Sequence, residues 1–158
     1  MYRTMEFAKD HLITPPEAIS FRDYCQYYSK TAVALNILRN SVIGSNRIDF
    51  AFKTYVNRWA FKHPQPIDFF RTMNDAAGDD LNWFWKEWFY ETWKLDQSVK
   101  GVKYVNDDPA NGSLITIENL QKMALQVTVK VTDENGNTQT LNLPVNVWQR
   151  DTEWTFKY

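Results

Sequence analysis

The sequence predicts an α+β fold, in which an N-terminal all-helical block precedes a small antiparallel β-sandwich-like domain. Apolar residues recur at helical spacing up to about residue 97 and alternate with polar residues after it. Aromatic residues make up 16% of the chain, and because such rings bury large areas we expect thick cores. We therefore expect two domains, a helical one at 1–97 and a β domain at 98–158.

The first half of the helical block contains three expected helices. A short helix over 3–10 ends before the Pro15-Pro16 loop, and a longer one covers 29–42, with Gly44 just past its end. The third covers 47–61, with Asn46 as its N-cap. The apolar faces expected for the second and third helices are Ala32, Leu35, Ile37, Leu38 and Val42, and Ile48, Phe52, Tyr55, Val56 and Trp59.

Two further helices follow a proline-rich break at 63–66. Proline disfavours helix at the residue before it, but Pro66 suits the first turn of a helix that runs to Ala77 and ends at Gly78. The last helix is expected over 79–93, and the Asp79-Asp80 pair supplies negative charge at its start.

The β block is predicted by period-two alternation. Apolar residues alternate from Leu125 to Val131 and again from Leu141 to Val147, with a turn at 133–137 that contains an Asn-Gly pair. This hairpin is joined by strands at 99–105, 113–118 and 153–157, and the segment 107–112 is the loop between the first two.

Composition excludes several classes of function. The net charge is −1 and no Lys/Arg run stands out, so nucleic acid is not an expected partner. No stretch reaches 18 apolar residues, so no membrane span is expected. Cys25 is alone, which rules out an internal disulfide without fixing the compartment, and the first residues lack the regions of a signal peptide.

The Trp-rich segment from Leu81 to Trp93 admits a core, a sugar-binding or a membrane interpretation. Its charges cancel, whereas an interfacial helix is normally cationic on its polar face, so we favour core packing. The predicted buried side is Leu81, Phe84, Trp85, Trp88 and Thr92, and the predicted polar side is Glu87, Glu91 and Lys94.

The other polar candidates favour structural roles. The two histidines, His11 and His63, cannot form an H-E-x-x-H zinc motif, and each lacks neighbouring ligands. Asp79-Asp80 is more simply a helix cap than a cation site. Cys25 has no pattern of a nucleophile around it, and the five glycines form no phosphate loop.

Tyr28 is the candidate for catalytic chemistry. Its phenol stays protonated near neutral pH and can donate a hydrogen bond to developing negative charge, although a tyrosine ahead of a helix is more often a packing residue.

Six stretches, in order, resemble the aminopeptidase N family of zinc metallopeptidases (gluzincins). The stretch at 28–44, YSKTAVALNILRNSVIG, resembles the family's Tyr-x-Lys segment, and DFAFKTY at 49–55 resembles its next helix. FKHPQPIDFF at 61–70 is similar to an HP-x-P-x-D-F junction, and GDDLNWFWKEW at 78–88 to a G-x-D-L-x-W-F-W element. LITIEN at 114–119 and LPV at 143–145 resemble its following β-sandwich domain.

The resemblance implies a role for Tyr28 and a larger parent protein. In the family, a tyrosine at this place donates a hydrogen bond to the oxyanion during peptide hydrolysis, and Tyr24 and Tyr27 compete for the assignment. The family's H-E-x-x-H, zinc-binding glutamate and G-x-M-E-N strand have no counterpart in the chain, so zinc would be bound by residues upstream of Met1. The chain is then a C-terminal segment of a metallopeptidase whose peptide substrate and upstream zinc-bearing portion are its partners.

Three expectations follow from this interpretation. The isolated chain, without metal or substrate anchor, hydrolyses no peptide measurably. Apolar surface left by the missing portion favours a homodimer. The compartment stays open, although the family makes an exported or periplasmic parent reasonable. Two alternatives remain, a non-enzymatic protein-interaction module and an aromatic carbohydrate-binding domain, and the latter requires exposed, coplanar tryptophans.

Overall fold

The computed structural model describes residues 26–158, and their side chains from Tyr28 onward. In this part of the chain, helices precede antiparallel strands in two sheets, which confirms the α+β prediction. The chain divides into a helical unit that ends at Thr92 and a β unit, Trp93–Tyr158. The helix expected at 3–10 lies outside the described residues.

Helix α1 consists of three consecutive segments. These are a π-helical turn at Gln26–Lys30, an α-helix at Thr31–Ile37 and a second π-helical turn at Leu38–Val42. Its buried positions are Lys30, Ala34 and Leu38, followed by Ile43, whereas Ala32 of the predicted face is exposed. The prediction assumed 3.6 residues per turn, and the wider π turns rotate the buried stripe.

Helix α2 covers Ser45–Trp59 and begins two residues earlier than predicted. Its N-cap is Gly44 and not Asn46, because Gly44 adopts a φ of 83° and turns the chain directly into the helix. The same residue lies just past the end of α1, as predicted. Ile48 and Ala51 are buried, while Phe52 and Val56 of the predicted apolar face are exposed.

Helix α3 has the bounds that the sequence predicts, Pro66–Ala77. Pro66 occupies the first turn, and the Gln65 N–H donates to Asp68 Oδ2 at 2.8 Å in a capping box. Gly78 ends the helix in the left-handed region, with φ 63° and ψ 40°.

Helix α4 is shorter than the predicted 79–93. It comprises an α-helical turn at Asn82–Trp85 and a π-helical segment at Lys86–Tyr90, and Glu91 is already extended. It starts at Asn82 because Asp80 Oδ1 accepts a hydrogen bond from the Asn82 N–H at 3.0 Å, outside the helix.

The core of the helical unit is aromatic. Leu81, Phe84, Trp85 and Trp88 are buried, which confirms the core interpretation of the Trp-rich helix for these residues. Trp85 stacks on Phe70 at 4.9 Å between ring centroids, and Phe84 stacks on Trp88 at 5.7 Å. Thr92, predicted on the buried side, is exposed because the helix ends before it.

The β unit contains two antiparallel sheets. The first has the order β1-β2-β5, formed by Gln97–Tyr104, Ser113–Asn119 and Glu153–Lys157, and the second pairs β3, Val127–Thr132, with β4, Thr138–Leu143. The predicted strand to Val147 is wrong beyond Leu143. Pro144 has no N–H to donate to a ladder, and Val145–Trp148 form a 3₁₀ turn instead.

The β3–β4 hairpin turn lies where the sequence predicts it. Asp133 Oδ1 accepts hydrogen bonds from the N–H groups of Asn135 and Asn137, and Asp133 Oδ2 accepts one from Asn137 Nδ2 at 2.8 Å. The Asn137 side chain, together with the turn's backbone N–H groups, holds the pKa of Asp133 below its ordinary value. Gly136 supplies the positive φ, 83°, that the turn requires.

Side chains from both sheets meet in one apolar cluster, which accords in outline with the sandwich-like packing that the sequence predicts. Ile117 of β2, Val129 of β3 and Val147 of the 3₁₀ turn are its buried centre. Its partly buried members are Val127, Val131, Leu141, Leu143, Trp148 and Phe156.

Candidate functional site around Tyr28

Tyr28 lies in the first turn that the structure describes, within the π-helical segment at the start of α1. It is 64% exposed, so its phenol is accessible to a ligand and does not belong to the helical core. Lys30, two residues further along the same turn, is only 8% exposed. The turn therefore presents Tyr28 outward while Lys30 points into the unit.

Helix α1 is anchored at its other end. Arg39 donates two hydrogen bonds to Asp49 of α2, from Nε at 3.1 Å and from Nη2 at 2.9 Å. This bidentate geometry fixes orientation as well as distance. The hydrogen bond from Arg39 lowers the pKa of Asp49 below its ordinary value. The helix that carries Tyr28 is thus held to its neighbour by a directional contact.

Two buried charges were not predicted from the sequence. Lys30 ends the π-helical segment of α1, and Glu87, placed by the sequence on the polar side of α4, is 6% exposed within the π-helical segment Lys86–Tyr90. Each has an interaction partner. Buried charges and π-helical turns both concentrate at functional sites, so these residues belong among the candidates. Lys30, Ala34 and Leu38 are four residues apart and so share one helix face, and this spacing is the sequence signal that could have indicated the burial of Lys30.

Asp79 and Asp80, the pair considered above as a helix cap or a cation site, both have structural partners. Asp79 Oδ2 accepts a hydrogen bond from Arg47 Nη2 at 3.0 Å, and Arg47 also donates to the Ala77 carbonyl at the end of α3. Asp80 accepts the hydrogen bond from Asn82 that begins α4. Neither carboxylate joins a cluster around Tyr28 in the part of the chain that the structure describes.

Of the other candidate site residues, one is exposed and the rest lie outside the residues or side chains that the structure describes. His63 is exposed in the loop between α2 and α3. His11, Tyr24 and Cys25 lie outside the described residues, and so does the side chain of Tyr27. Of the three competing tyrosines, the structure therefore describes the side chain of Tyr28 alone.

The described residues contain neither a metal-binding cluster nor a helix that could span a membrane. Between residues 26 and 158 no group of three or more His, Cys, Asp or Glu side chains is arranged to hold a metal ion, so this part of the chain does not fit a zinc site. Each helix in that range is too short or too polar to cross a lipid bilayer.

A separate open groove of about 750 Å³ lies within the β unit. Val99, Val102 and Tyr104 of β1 line one wall, and Val129 and Val131 of β3 line the other. Lys103, Lys130, Asp133 and Glu134 also line the groove, so its surface is partly apolar and partly charged.

Comparison with known proteins adds no assignment: no family model matches the chain, and no curated protein matches it.

Proposed function

We propose that the chain is the C-terminal segment of an aminopeptidase-type zinc metallopeptidase, and that Tyr28 donates a hydrogen bond to the substrate's carbonyl oxygen during peptide hydrolysis. The observation that carries this proposal is the exposed Tyr28 phenol on a helix anchored through Arg39 and Asp49. An oxyanion donor must be both accessible and held in place, because its contribution depends on preorganisation.

The positions of three of the resembling stretches also support the proposal. The stretch at 28–44 coincides with α1 and its terminal Gly44, and the junction at 61–70 leads into α3 at Pro66. The G-x-D-L element begins at Gly78, where α3 ends, and the β unit follows. These three stretches therefore include helix ends, whereas the stretch at 49–55 lies inside α2.

The chemistry assigned to this chain is hydrogen-bond donation. As a peptide carbonyl is attacked, negative charge develops on its oxygen, and the Tyr28 O–H is a neutral donor that can stabilise that charge. Zinc, when bound by residues upstream of Met1, supplies Lewis acidity. Residues 26–158 contribute the donor and the helical wall behind it.

A Tyr28→Phe variant of the whole parent protein tests this role. Removing one oxyanion donor lowers kcat by about 10²–10³-fold, while KM changes little because the phenol acts in the transition state. Tyr104→Phe is the matched control, since Tyr104 is also exposed but lies in the β unit, and it leaves kcat unchanged. Tyr27→Phe, assayed in parallel, resolves the choice between neighbouring phenols. An unchanged kcat in Tyr28→Phe contradicts the proposal.

The isolated chain provides a second test. Supplied with zinc and an aminoacyl-anilide substrate, it is expected to show no hydrolysis above background. Activity that disappears in Tyr28→Phe would contradict the segment interpretation. The coding region upstream of Met1 is expected to contain H-E-x-x-H, and an upstream region without zinc ligands would favour an interaction module instead.

A further inference from the structure

Strand β5 is an edge of the three-stranded sheet, and its backbone orientation follows from its hydrogen bonds to β2. Ser113 and Tyr158 exchange N–H···O bonds of 2.9 and 2.8 Å, and the Asn119 N–H donates to the Thr152 carbonyl at 2.8 Å. In an antiparallel pair, the N–H and C=O of one residue point to the same side, and the side alternates along the strand. The N–H and C=O groups of Glu153, Thr155 and Lys157 therefore point to the free edge.

The side chains of β5 separate the strand into an apolar and a polar face. Trp154 lies opposite Ile117 and Phe156 opposite Ile115, so both share the face that these buried isoleucines occupy. Trp154 nevertheless stays 44% exposed. Because side chains alternate along a strand, Glu153, Thr155 and Lys157 lie on the other face.

The charges of β5 are complementary to those of a second β5 strand that lies antiparallel to it. An antiparallel pair of two β5 strands centred on Thr155 places Glu153 of each copy opposite Lys157 of the other. The three free-edge residues of each copy then form hydrogen-bonded pairs, and Trp154 lies opposite Phe156 of the other copy. A pair centred on Glu153 or Lys157 instead places like charges opposite each other, which is destabilising.

We propose that β5 is a self-association edge, which pairs with β5 of a second copy of the chain in the register centred on Thr155. The pairing joins two three-stranded sheets into one continuous sheet and covers the exposed Trp154 ring. Lys157 makes no ion pair within the described part of the chain, so its ammonium is available to Glu153 of the second copy. Glu153 Oε1 already accepts a hydrogen bond from Lys100 of its own sheet, so Lys157 would join this ion pair as a second cation.

The opposite edge of the sheet is not suited to the same pairing. Strand β1 carries Lys100 and Lys103 without an acidic residue, and its register shifts between Val99 and Gly101. Lysines and bulges on an edge strand disfavour edge-to-edge association. The contrast between the two edges assigns the association to β5.

Sedimentation velocity of the whole chain over about 10 µM to 1 mM tests the proposal, since small edge interfaces are weak. The unmodified chain is expected to shift from monomer to dimer, and Thr155→Pro is expected to stay monomeric. Proline removes an N–H that points to the free edge and not to β2, so circular dichroism should report an intact fold. Lys103→Glu on β1 is the matched control and dimerises like the unmodified chain.

Charge reversal tests the register. Lys157→Glu and Glu153→Lys each bring like charges together at both symmetric positions, so each is expected to raise the dimer Kd by about tenfold. An equimolar mixture of the two variants restores opposite charges at both positions and is expected to recover the dimer. A chain that is monomeric up to 1 mM overturns the proposal. A dimer unaffected by Thr155→Pro, or a mixture no tighter than its components, also overturns it.

Discussion

At the scale of single residues, the helical unit contains two buried indoles in different polar environments. Trp85 Nε1 donates a hydrogen bond to Asn74 Oδ1 at 2.7 Å, and Asn74 in turn donates to Asn82 Oδ1 at 3.1 Å. Trp88 Nε1 is also buried but has no hydrogen-bond acceptor within the described residues. Both rings pack against Phe84. Trp85 therefore has a hydrogen bond that Trp88 lacks, and it also contacts the rings of Phe69, Phe70 and Phe89.

This difference predicts unequal costs for the same substitution. Trp85→Phe removes a donor and leaves Asn74 Oδ1 without its partner, whereas Trp88→Phe removes only ring volume. We expect Trp85→Phe to lower the free energy of unfolding by about 1–2 kcal/mol more than Trp88→Phe does. Urea denaturation followed by circular dichroism measures both variants, and equal costs would show that the hydrogen bond contributes nothing.

At the scale of elements, α3 shows how local chemistry fixes both ends of a helix. Pro66 and the Gln65–Asp68 capping box start it, and Gly78 stops it with a left-handed conformation. A Cβ added at Gly78 meets no atom within 4 Å, so the requirement for glycine there comes from the backbone conformation and not from crowding. Gly101 in β1 has equally open surroundings without a positive φ.

The two glycines form a matched pair for measuring this backbone requirement. Gly78→Ala is expected to destabilise the chain by about 1–2 kcal/mol, because an L-residue is strained in the left-handed region. Gly101→Ala is expected to be neutral or stabilising by less than about 1 kcal/mol, since it restricts the unfolded chain without strain. Thermal unfolding of both variants supplies the comparison, and a Gly101→Ala cost as large as that of Gly78→Ala would contradict the explanation.

At the scale of the whole molecule, the two units have separate kinds of core. The helical unit is built on stacked aromatic rings around Phe70 and Trp85, and the β unit on aliphatic side chains around Ile117 and Val129. A unit of fewer than about 70 residues has only a small margin of stability from its core. The β unit, Trp93–Tyr158, belongs to this class.

Expression of residues 93–158 alone tests whether the β unit carries enough information to fold. We expect a cooperative urea transition with a free energy of unfolding of about 3–6 kcal/mol, at the lower end for globular domains. Ile117→Ala, at the centre of the cluster, is expected to abolish that transition, because such a deletion costs about 2–5 kcal/mol. A disordered spectrum for the unmodified unit would show that its fold depends on the preceding residues.

Local signals in the sequence were sufficient for the order of the elements and for several of their ends. The Asn-Gly turn, the bounds of α3 and the alternation of β3 depend on neighbouring residues, so they could be predicted directly. The oxyanion role of Tyr28 was predicted from resemblance and stays a proposal. For this role, the residues themselves indicate only that Tyr28 is a phenol donor and that it precedes a helix.

Only the tertiary structure decided which faces of the elements and which charged side chains are buried. Lys30 and Glu87 are buried within π-helical segments although both side chains are ionisable, and residue type alone predicts exposure for both. The residues around Val147, expected to form a strand, form a 3₁₀ turn instead. The Val147 side chain of this turn packs in the β core. The sequence by itself determined the α+β order and the helix and turn signals, because these arise between residues close in the chain. Burial and edge exposure were decided only by the fold, because they depend on residues distant in sequence.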